Sequence, residues 1–506
     1  MPAIINQFLD KTTMYRVVLY SLFAIIAQAF VMSALGVLHY SFLSLGISFI
    51  TVIGVTTATH FLFKTLYKAP ANIESSYISA FIVFLILAPV TNQGEMLWTI
   101  TASFLVIASK YLFAYNYRHF FNPVAVALFI IGLIGSTSVI WWVGGTYFLP
   151  ITLIACILVI HKLKRYTLFF SYLGVSLFTI VLLSSYRDIA IGEALTQHIL
   201  SWPLIFLGVF MLTEPLTTPP TKKLQAVYGG IVGFFTSFTF TFPPLYGTPE
   251  LAIMIGNLFS FAVSTKSRIF LSFVEKKEIA KDTFEFTFSP NHMISYQSGQ
   301  YMEWTLPHDS PDTRSIRRYF TIASSPKEDV IRLGVKRAEK GSSFKNALFT
   351  LENSKGLLAT AVMGDFLLPK DTTKKLVFIA GGIGITPFIS MLRTLILEGE
   401  KRDVILFYVN KQIEEVAYKD VLEEAYRVCD VKIVYVLSNV PLVPKDYTGE
   451  VGFITKDTIE KYVTEIQKSK FYISGPPGMV AAYETLLYSI GVSKHEVITD
   501  FFPGFN

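Results

Sequence analysis

Long apolar runs fill the first half of the chain, and short runs separated by turns fill the second. A membrane-spanning helix needs about 20 mostly apolar residues, and fewer where neighbouring helices shelter an interrupted one. Ten stretches meet that standard, at about 15–35, 41–63, 76–90, 97–113, 122–141, 147–161, 166–184, 198–213, 226–242 and 249–264. The first is too long for a removable signal peptide and lacks its small-residue cleavage site. Beyond them the period changes. Thr283–Phe288, Gln300–Leu306, Tyr319–Ala323, Val330–Val335 and Gly364–Leu368 predict a small antiparallel β-barrel. From 374 onward strand and helix patterns alternate: Leu376–Ala380, a helix from Thr386, Val404–Val409, a helix near 416–427, Val431–Leu437, a helix near 457–467, Phe471–Ser474 and a helix from Gly478. That alternation predicts a parallel sheet with ligand chemistry at the C-terminal ends of its strands. The expected architecture is a polytopic α-helical membrane domain of about ten spans at 1–268, a β-barrel domain at 269–370 and an α/β domain at 371–506.

Charge follows the same division. The 506 residues are 52% hydrophobic and 16% charged, against roughly 25% charged in an ordinary soluble domain. Residues 1–268 hold 14 Lys and Arg and 7 Asp and Glu; the remainder holds 29 and 30. With the N-terminus inside, Lys11, Arg16, Lys64, Lys68, Lys110, Arg118, Lys162, Lys164, Arg165, Lys222, Lys223, Lys266 and Arg268 all fall on inner segments, and only Arg187 falls outside. This positive-inside bias predicts an integral cell (inner) membrane protein with its N-terminus and soluble half in the cytoplasm. The net charge of +6 is thus a topology signal, and no nucleic-acid partner is expected. Two cysteines exclude a four-thiolate iron–sulfur cluster, and no metal site is expected.

Ten spans divide into two fives, and an odd repeat unit must run in opposite directions. The third spans end in Ala88-Pro89-Val90-Thr91 and Glu214-Pro215-Leu216-Thr217; the fifth open with Asn122-Pro123 and Thr248-Pro249-Glu250. Proline-interrupted segments at matching places of two inverted halves point to a central site built from broken helices. Asn122, Pro123, Glu214 and Thr217 are its candidate residues. Lys110-Tyr111 to Asn122-Pro123, and Met211 to Thr221, resemble signature stretches of RnfD, a membrane protein of the Rnf complex, and of its counterpart in the sodium-translocating NADH:quinone reductase. That resemblance implies two inverted halves that carry flavin. The family attaches FMN to the Thr of a Ser-Gly-Ala-Thr motif, where this chain reads Gly135-Ser136-Thr137-Ser138, so a non-covalent FMN or riboflavin, or a quinone, is the expectation. Haem is not favoured: His39, His60, His119, His161 and His198 lie on different spans or span ends, so no helix carries a pair.

In the second half the chemistry sits in four motifs. Arg318-Tyr319-Phe320-Thr321 offers a guanidinium, which grips a diphosphate through paired charge-assisted bonds. Gly341-Ser342-Ser343 opens a helix whose free N–H groups suit an anion, and Val335-Lys336 precedes it. Leu376 to Pro387 is a strand, a glycine-rich turn and a helix start, in which Gly381, Gly382 and Gly384 allow close backbone approach to a pyrophosphate. Ser474-Gly475-Pro476 with Met479 follows a later strand, and Asp500, Phe502 and Phe505 lie near the end.

In this order the motifs resemble the ferredoxin–NADP reductase family over roughly 270–506. The resemblance implies that FAD is held by Arg318, Tyr319, Phe320, Thr321, Val335, Lys336, Gly341, Ser342, Ser343, Phe502 and Phe505. It implies that NADH or NADPH is held by Gly381, Gly382, Gly384, Ile385, Thr386, Pro387, Ser474, Gly475, Pro476 and Met479, with Thr321, Ser474 and Asp500 catalytic. Phe320 stands where Tyr is usual, Ser474 where Cys is frequent, and Asp500 where Glu is commoner. Lys411 could meet a 2′-phosphate while Glu414 and Glu415 would repel one, so NADH and NADPH both stay open. The expected function is NAD(P)H oxidation through FAD, with electrons passed to a flavin, a quinone or another acceptor in or across the membrane. A redox-coupled ion transporter is the alternative.

Overall fold

The computed structural model divides by its internal contacts into two units, Met1–Lys266 and Ser267–Asn506. It describes residues 5, 8, 9 and 12–501 apart from 68–72, 116, 117, 135–138, 239, 243, 244, 265–268, 310, 313–315, 339, 340, 353–355 and 445.

The first unit is helical: α1 (Met14–Ala34), α2 (Phe42–Tyr67), α3 (Ile73–Ile86), α4 (Gln93–Leu112), α5 (Pro123–Leu133), α6 (Leu149–Leu163), α7 (Tyr166–Tyr186), α8 (Ile191–Leu200), α9 (Leu204–Phe210), α10 (Lys222–Ser237) and α11 (Pro249–Val263). Among the described residues, four helices are long and apolar enough to cross a membrane: Met14–Ala34, Phe42–Tyr67, Thr146–Leu163 and Tyr166–Tyr186. Other expected stretches are shorter as helices. The stretch at 76–90 is helical as α3 to Ile86, and among the described residues of 122–141 the α-helix is α5. The stretch at 198–213 splits into α8 and α9 around Pro203, which has no N–H to continue a helix.

Around an apolar core that includes Leu22, Val52, Leu85, Leu128, Leu207 and Val232, this unit exposes large apolar side chains and buries small polar ones. Ile50, Phe61, Leu62, Ile154, Ile157, Phe170, Phe178 and Leu182 are exposed, while Ser44, Ser48, Thr56, Ser79, Ser103, Ser176 and Asn257 are buried. Small polar residues let helices approach closely where lipid removes any hydrophobic drive between them. Gly229 and Gly233 are the clearest case: a Cβ on either would collide with the carbonyl oxygen of Leu168 or Tyr172, so α10 lies against the α7 backbone. The contact pattern recurs. Helix α2 packs on α4 as α7 does on α10, α4 on α5 as α10 on α11, and α1 on α3 as α6 on α9. A two-residue hairpin precedes α5 (Ala114–Tyr115 with Arg118–His119), and another precedes α11 (Thr241–Phe242 with Leu245–Tyr246).

The second unit opens with an antiparallel sheet of β1 (Ile269–Ala280), β2 (Thr283–Pro290), β3 (Tyr301–Thr305), β4 (Arg317–Thr321), β5 (Ile331–Lys336) and β6 (Gly356–Met363), in the order β4-β3-β6-β1-β2-β5. The outer strands meet beyond β4, where the Ala323 N–H donates to the Arg332 carbonyl at 2.9 Å. Trp304, Phe286, Phe288 and Phe344 fill the interior, each such side chain contributing roughly 1.5–3 kcal/mol by leaving water. Helix α12 (Ser343–Phe349) follows β5. The strand expected at Gly364–Leu368 is instead irregular. Gly364, at φ +113°, turns the chain out of the sheet, and the closing strand is β6 just before it.

The remainder is a six-stranded parallel sheet of β7 (Leu376–Gly381), β8 (Val404–Asn410), β9 (Lys432–Leu437), β10 (Glu450–Val451), β11 (Lys470–Gly475) and β12 (Val497–Phe501), in the order β10-β9-β8-β7-β11-β12. Helices α13 (Thr386–Glu398), α14 (Lys419–Cys429), α15 (Lys456–Tyr462) and α16 (Pro477–Ser489) make the connections. Buried hydroxyls tie α13 to the barrel: Thr394 Oγ1 lies 2.7 Å from Ser298 Oγ and 2.8 Å from Ser325 Oγ, and Ser390 Oγ donates to the Ser324 carbonyl at 2.7 Å. Beside them the Glu285 carboxylate, 7% exposed, pairs with Arg332 at 3.0 Å and Arg393 at 3.1 Å.

Candidate functional site

Strand β7 is the switch point of the parallel sheet. From it the chain winds through β8, β9 and β10 on one side, then crosses to β11 and β12 on the other. Loops leaving the C-terminal ends of β7 and β11 therefore diverge and leave a crevice. It is a cleft of about 700 Å³, floored by Gly381, Gly382, Gly384, Gly475, Pro476 and Met479, with Lys336, Asn410, Lys411, Glu415, Phe453 and Lys456 around it. Gly382 takes φ +52°. Gly384 leaves no room for a side chain, since its Cβ would stand 2.6 Å from both the Gly475 Cα and the Ser474 carbonyl oxygen. Ile385, Thr386 and Pro387 turn inward and are buried at the start of α13, with Thr386 Oγ1 donating to the Ile383 carbonyl at 3.2 Å. They shape the turn beneath the floor.

Two buried hydroxyls stand out. Thr321 ends β4 at 3% exposure and Ser474 lies in β11 at 0%; neither side-chain oxygen has a hydrogen-bond partner. An unpaired buried hydroxyl costs about 1–3 kcal/mol, so both atoms suit positions that a ligand completes. Asp500 stands beside Ser474 in register on β12.

Around β4 the chain assembles a polar corner. The Arg318 guanidinium sits 5.5 Å above the Phe344 ring and donates to Asp312 Oδ1 at 3.0 Å. The other oxygen of Asp312 accepts the Ser343 N–H at 3.2 Å, while Ser342 caps α12 by accepting the Lys345 N–H. Asp312 thus holds together the guanidinium and the helix start that the sequence singles out, and Gly341 precedes them with its Cβ position filled by Asn346. Phe320 packs on Phe344, and the Tyr319 hydroxyl donates to Glu303 at 2.7 Å on the opposite face of the strand. Val335 is buried in the barrel core, while Lys336 reaches Glu415 at 2.7 Å at the cleft wall.

In the helical unit the four candidates converge. Asn122 caps α5, accepting the N–H groups of Val124 and Ala125, and Pro123 is the first helical residue. The Asn122 amide donates to Glu214 Oε2 at 2.8 Å, and His119 Nε2 lies 2.8 Å from Glu214 Oε1. Thr217 is buried beneath, with its hydroxyl 3.4 Å from the Glu214 carbonyl. Asn257 of α11 accepts the Asn122 N–H at 2.7 Å and donates to the Tyr228 hydroxyl of α10 at 2.9 Å.

Residues 132–268 match the NQR2, RnfD, RnfE family, and residues 378–485 match the oxidoreductase NAD-binding domain. NADH-cytochrome b5 reductase 1 of Aspergillus oryzae is 26% identical over 266 residues, 49% of this chain and 90% of that protein. A flavohemoprotein of Bacillus subtilis is 26% identical over 234 residues, 45% of this chain and 57% of its own length, so the chain spans little more than half of that relative. A cytochrome P450 reductase of Amycolatopsis aligns with a TM-score of 0.42 at 24% identity, over 47% of this chain and 70% of that one.

Several contacts escaped the motif reading. Asp312 lies in a polar loop with no motif of its own, and the pairing of Glu285 with Arg332 and Arg393 spans distant stretches of chain. Asn410 ends β8 and reaches the cleft because it follows the second parallel strand, a positional signal that was available. Phe502, Phe505 and the Gly135–Ser138 stretch lie outside the described residues, as do Lys11, Lys68, Lys266 and Arg268.

Proposed function

We propose that this chain is a membrane-bound oxidoreductase that takes electrons from NADH or NADPH through FAD and delivers them to a flavin, a quinone or another acceptor in or across the membrane. The observation that carries the reading is the pair of buried, unpartnered hydroxyls, Thr321 and Ser474, in a unit whose glycine-floored cleft lies within a match to an NAD-binding domain. The names of the relatives, an NADH-cytochrome b5 reductase and flavohemoproteins, support it.

In this reading residues 269–370 hold FAD and 371–506 hold the nicotinamide nucleotide. FAD, when bound, supplies hydride acceptance and release of electrons one at a time. Arg318 and the N–H groups at Ser342 and Ser343 bind its pyrophosphate, displacing Asp312. Tyr319, Phe320, Val335, Lys336 and Gly341 form the surrounding wall, and Phe502 and Phe505 are the candidate shield. Thr321 would offer its hydroxyl to the flavin. Gly381, Gly382 and Gly384, with Ile385, Thr386 and Pro387 shaping the turn, admit the nucleotide pyrophosphate, which the helix N-terminus favours. Gly475, Pro476 and Met479 border the nicotinamide, and Ser474 and Asp500 orient it.

The helical unit, 1–268, is read as about ten spans in two inverted fives, supported by the recurring helix contacts and the matched hairpins before α5 and α11. The loop charges support a cytoplasmic N-terminus and reductase half in the cell membrane. A non-covalent FMN or riboflavin, or a quinone, near Asn122, Pro123, Glu214 and Thr217 would receive the electrons. Detergent-purified protein tests this directly. Extraction should yield FAD, and NADH or NADPH should reduce ferricyanide; protein that folds without flavin and oxidises neither nucleotide overturns the proposal.

A second reading, redox-coupled ion transport, is favoured by the match to the NQR2, RnfD, RnfE family and by a carboxylate, Glu214, against the cap of a broken helix. Proteoliposomes that oxidise NADH and acidify or alkalinise their lumen would support it; oxidation with no gradient of protons or sodium would remove it.

A further inference from the structure

We infer that His119 and Glu214 form a proton-donating pair that supplies the acceptor reduced in the helical unit; this rests on the oxidoreductase reading. The chemistry requires such a donor. Oxidation of NAD(P)H to NAD(P)⁺ releases two electrons and one proton, whereas a quinone, or a flavin taken to its neutral two-electron form, gains two electrons and two protons. One proton must therefore come from the medium, and those used at the acceptor must enter the helical unit.

Few groups there could carry one. The unit holds only 7 Asp and Glu in its first 268 residues. Ionisable side chains within membrane helices are costly and usually mark a pathway. Glu214 and His119 stand 2.8 Å apart with side-chain exposures of 19% and 8%. Such a separation suits transfer between carboxyl and imidazole. The groups facing Glu214 are Asn122 at the cap of α5, Lys110 of α4 and Tyr228 of α10. Lys110 is anchored on the Ser75 carbonyl and hydroxyl, at 2.9 and 3.0 Å. Tyr228 accepts from Asn257, whose carbonyl holds the Asn122 N–H. Glu214 thus lies between a buried imidazole and a bonded chain that runs through Asn122 of α5, Asn257 of α11 and Tyr228 of α10.

The experiment compares two acceptors in proteoliposomes of the full chain. Ferricyanide takes one electron and no proton and reports on the reductase half; decylubiquinone takes two of each. We expect Glu214→Gln to slow quinone reduction at least tenfold. Glu214→Asp should recover most of the quinone rate with a displaced pH profile, and His119→Gln should remove one limb of that profile. An infrared difference spectrum between oxidised and reduced protein should show a carboxyl band that Glu214→Gln abolishes. Unchanged quinone rates, pH profiles and carboxyl bands in Glu214→Gln and His119→Gln overturn the inference. Failure of the wild type to reduce ferricyanide overturns the oxidoreductase reading instead.

Discussion

Gly384 and Gly475 touch backbone to backbone, so close that a methyl group on Gly384 would stand 2.6 Å from the Gly475 Cα. The contact draws the turn after β7 onto the end of β11, and the cleft floor is what remains between them. Gly384→Ala must push the two loops apart. Overpacking of this kind costs typically 1–3 kcal/mol. The expected result is a folded protein with KM for the nicotinamide nucleotide raised at least tenfold, measured by ferricyanide reduction.

Thr321→Val and Ser474→Ala separate binding from folding. Because each removes a buried hydroxyl with no partner, neither should lower the melting temperature, and a gain of about 1 kcal/mol is within the range for relieving an unpaired polar group. Both should slow flavin reduction by NAD(P)H in stopped-flow measurements. A loss of several degrees in melting temperature would show that these hydroxyls serve the fold.

At the corner around β4, Arg318→Ala and Asp312→Asn should act in opposite directions. A charge-assisted hydrogen bond contributes about 1.5–3 kcal/mol, so losing Arg318 should weaken FAD retention by roughly 10- to 100-fold. Asp312 competes for the same guanidinium and for the Ser343 N–H, and neutralising it should tighten FAD a few-fold. Fluorescence titration of the flavin-depleted protein reads both.

Glu285 pairs with Arg332 within the barrel and holds the barrel against α13 through Arg393, which also covers the Tyr418 ring at 5.6 Å. Burial pushes the Tyr418 phenol well above its usual range, with the Glu285 charge adding to the effect, so the ring stays neutral beside the pair. Glu285→Gln leaves two guanidinium groups without their shared carboxylate. Breaking a buried pair in this way costs about 3–5 kcal/mol where the remaining charge is enclosed, and less here because Arg332 keeps Glu328 at 2.8 Å. A loss of about 2 kcal/mol in urea unfolding of the second unit, with cofactor binding retained in the folded fraction, is the expected outcome.

Local spacing made much of this protein legible from its residues. Apolar runs and loop charges separate the two halves, and the run from Leu376 to Pro387 announces a strand, a tight turn and a helix because each depends on neighbours in sequence. Strand β1 was hidden by Glu275-Lys276-Lys277-Glu278, whose exposed side chains interrupt its alternation, and Gly364 displaced the closing strand to β6 because a single positive φ redirects the chain. The helical extents at α3, α5 and α9 were likewise set by partners: shelter from neighbouring helices decides where a short apolar segment can stop. What only the folded chain decides is which distant groups meet. Asp312 reaches Arg318 and Ser343, Glu285 reaches Arg393, and Glu214 reaches His119 across 95 positions, because charge and hydrogen-bonding capacity fix what a side chain seeks, while the route of the backbone fixes what it finds.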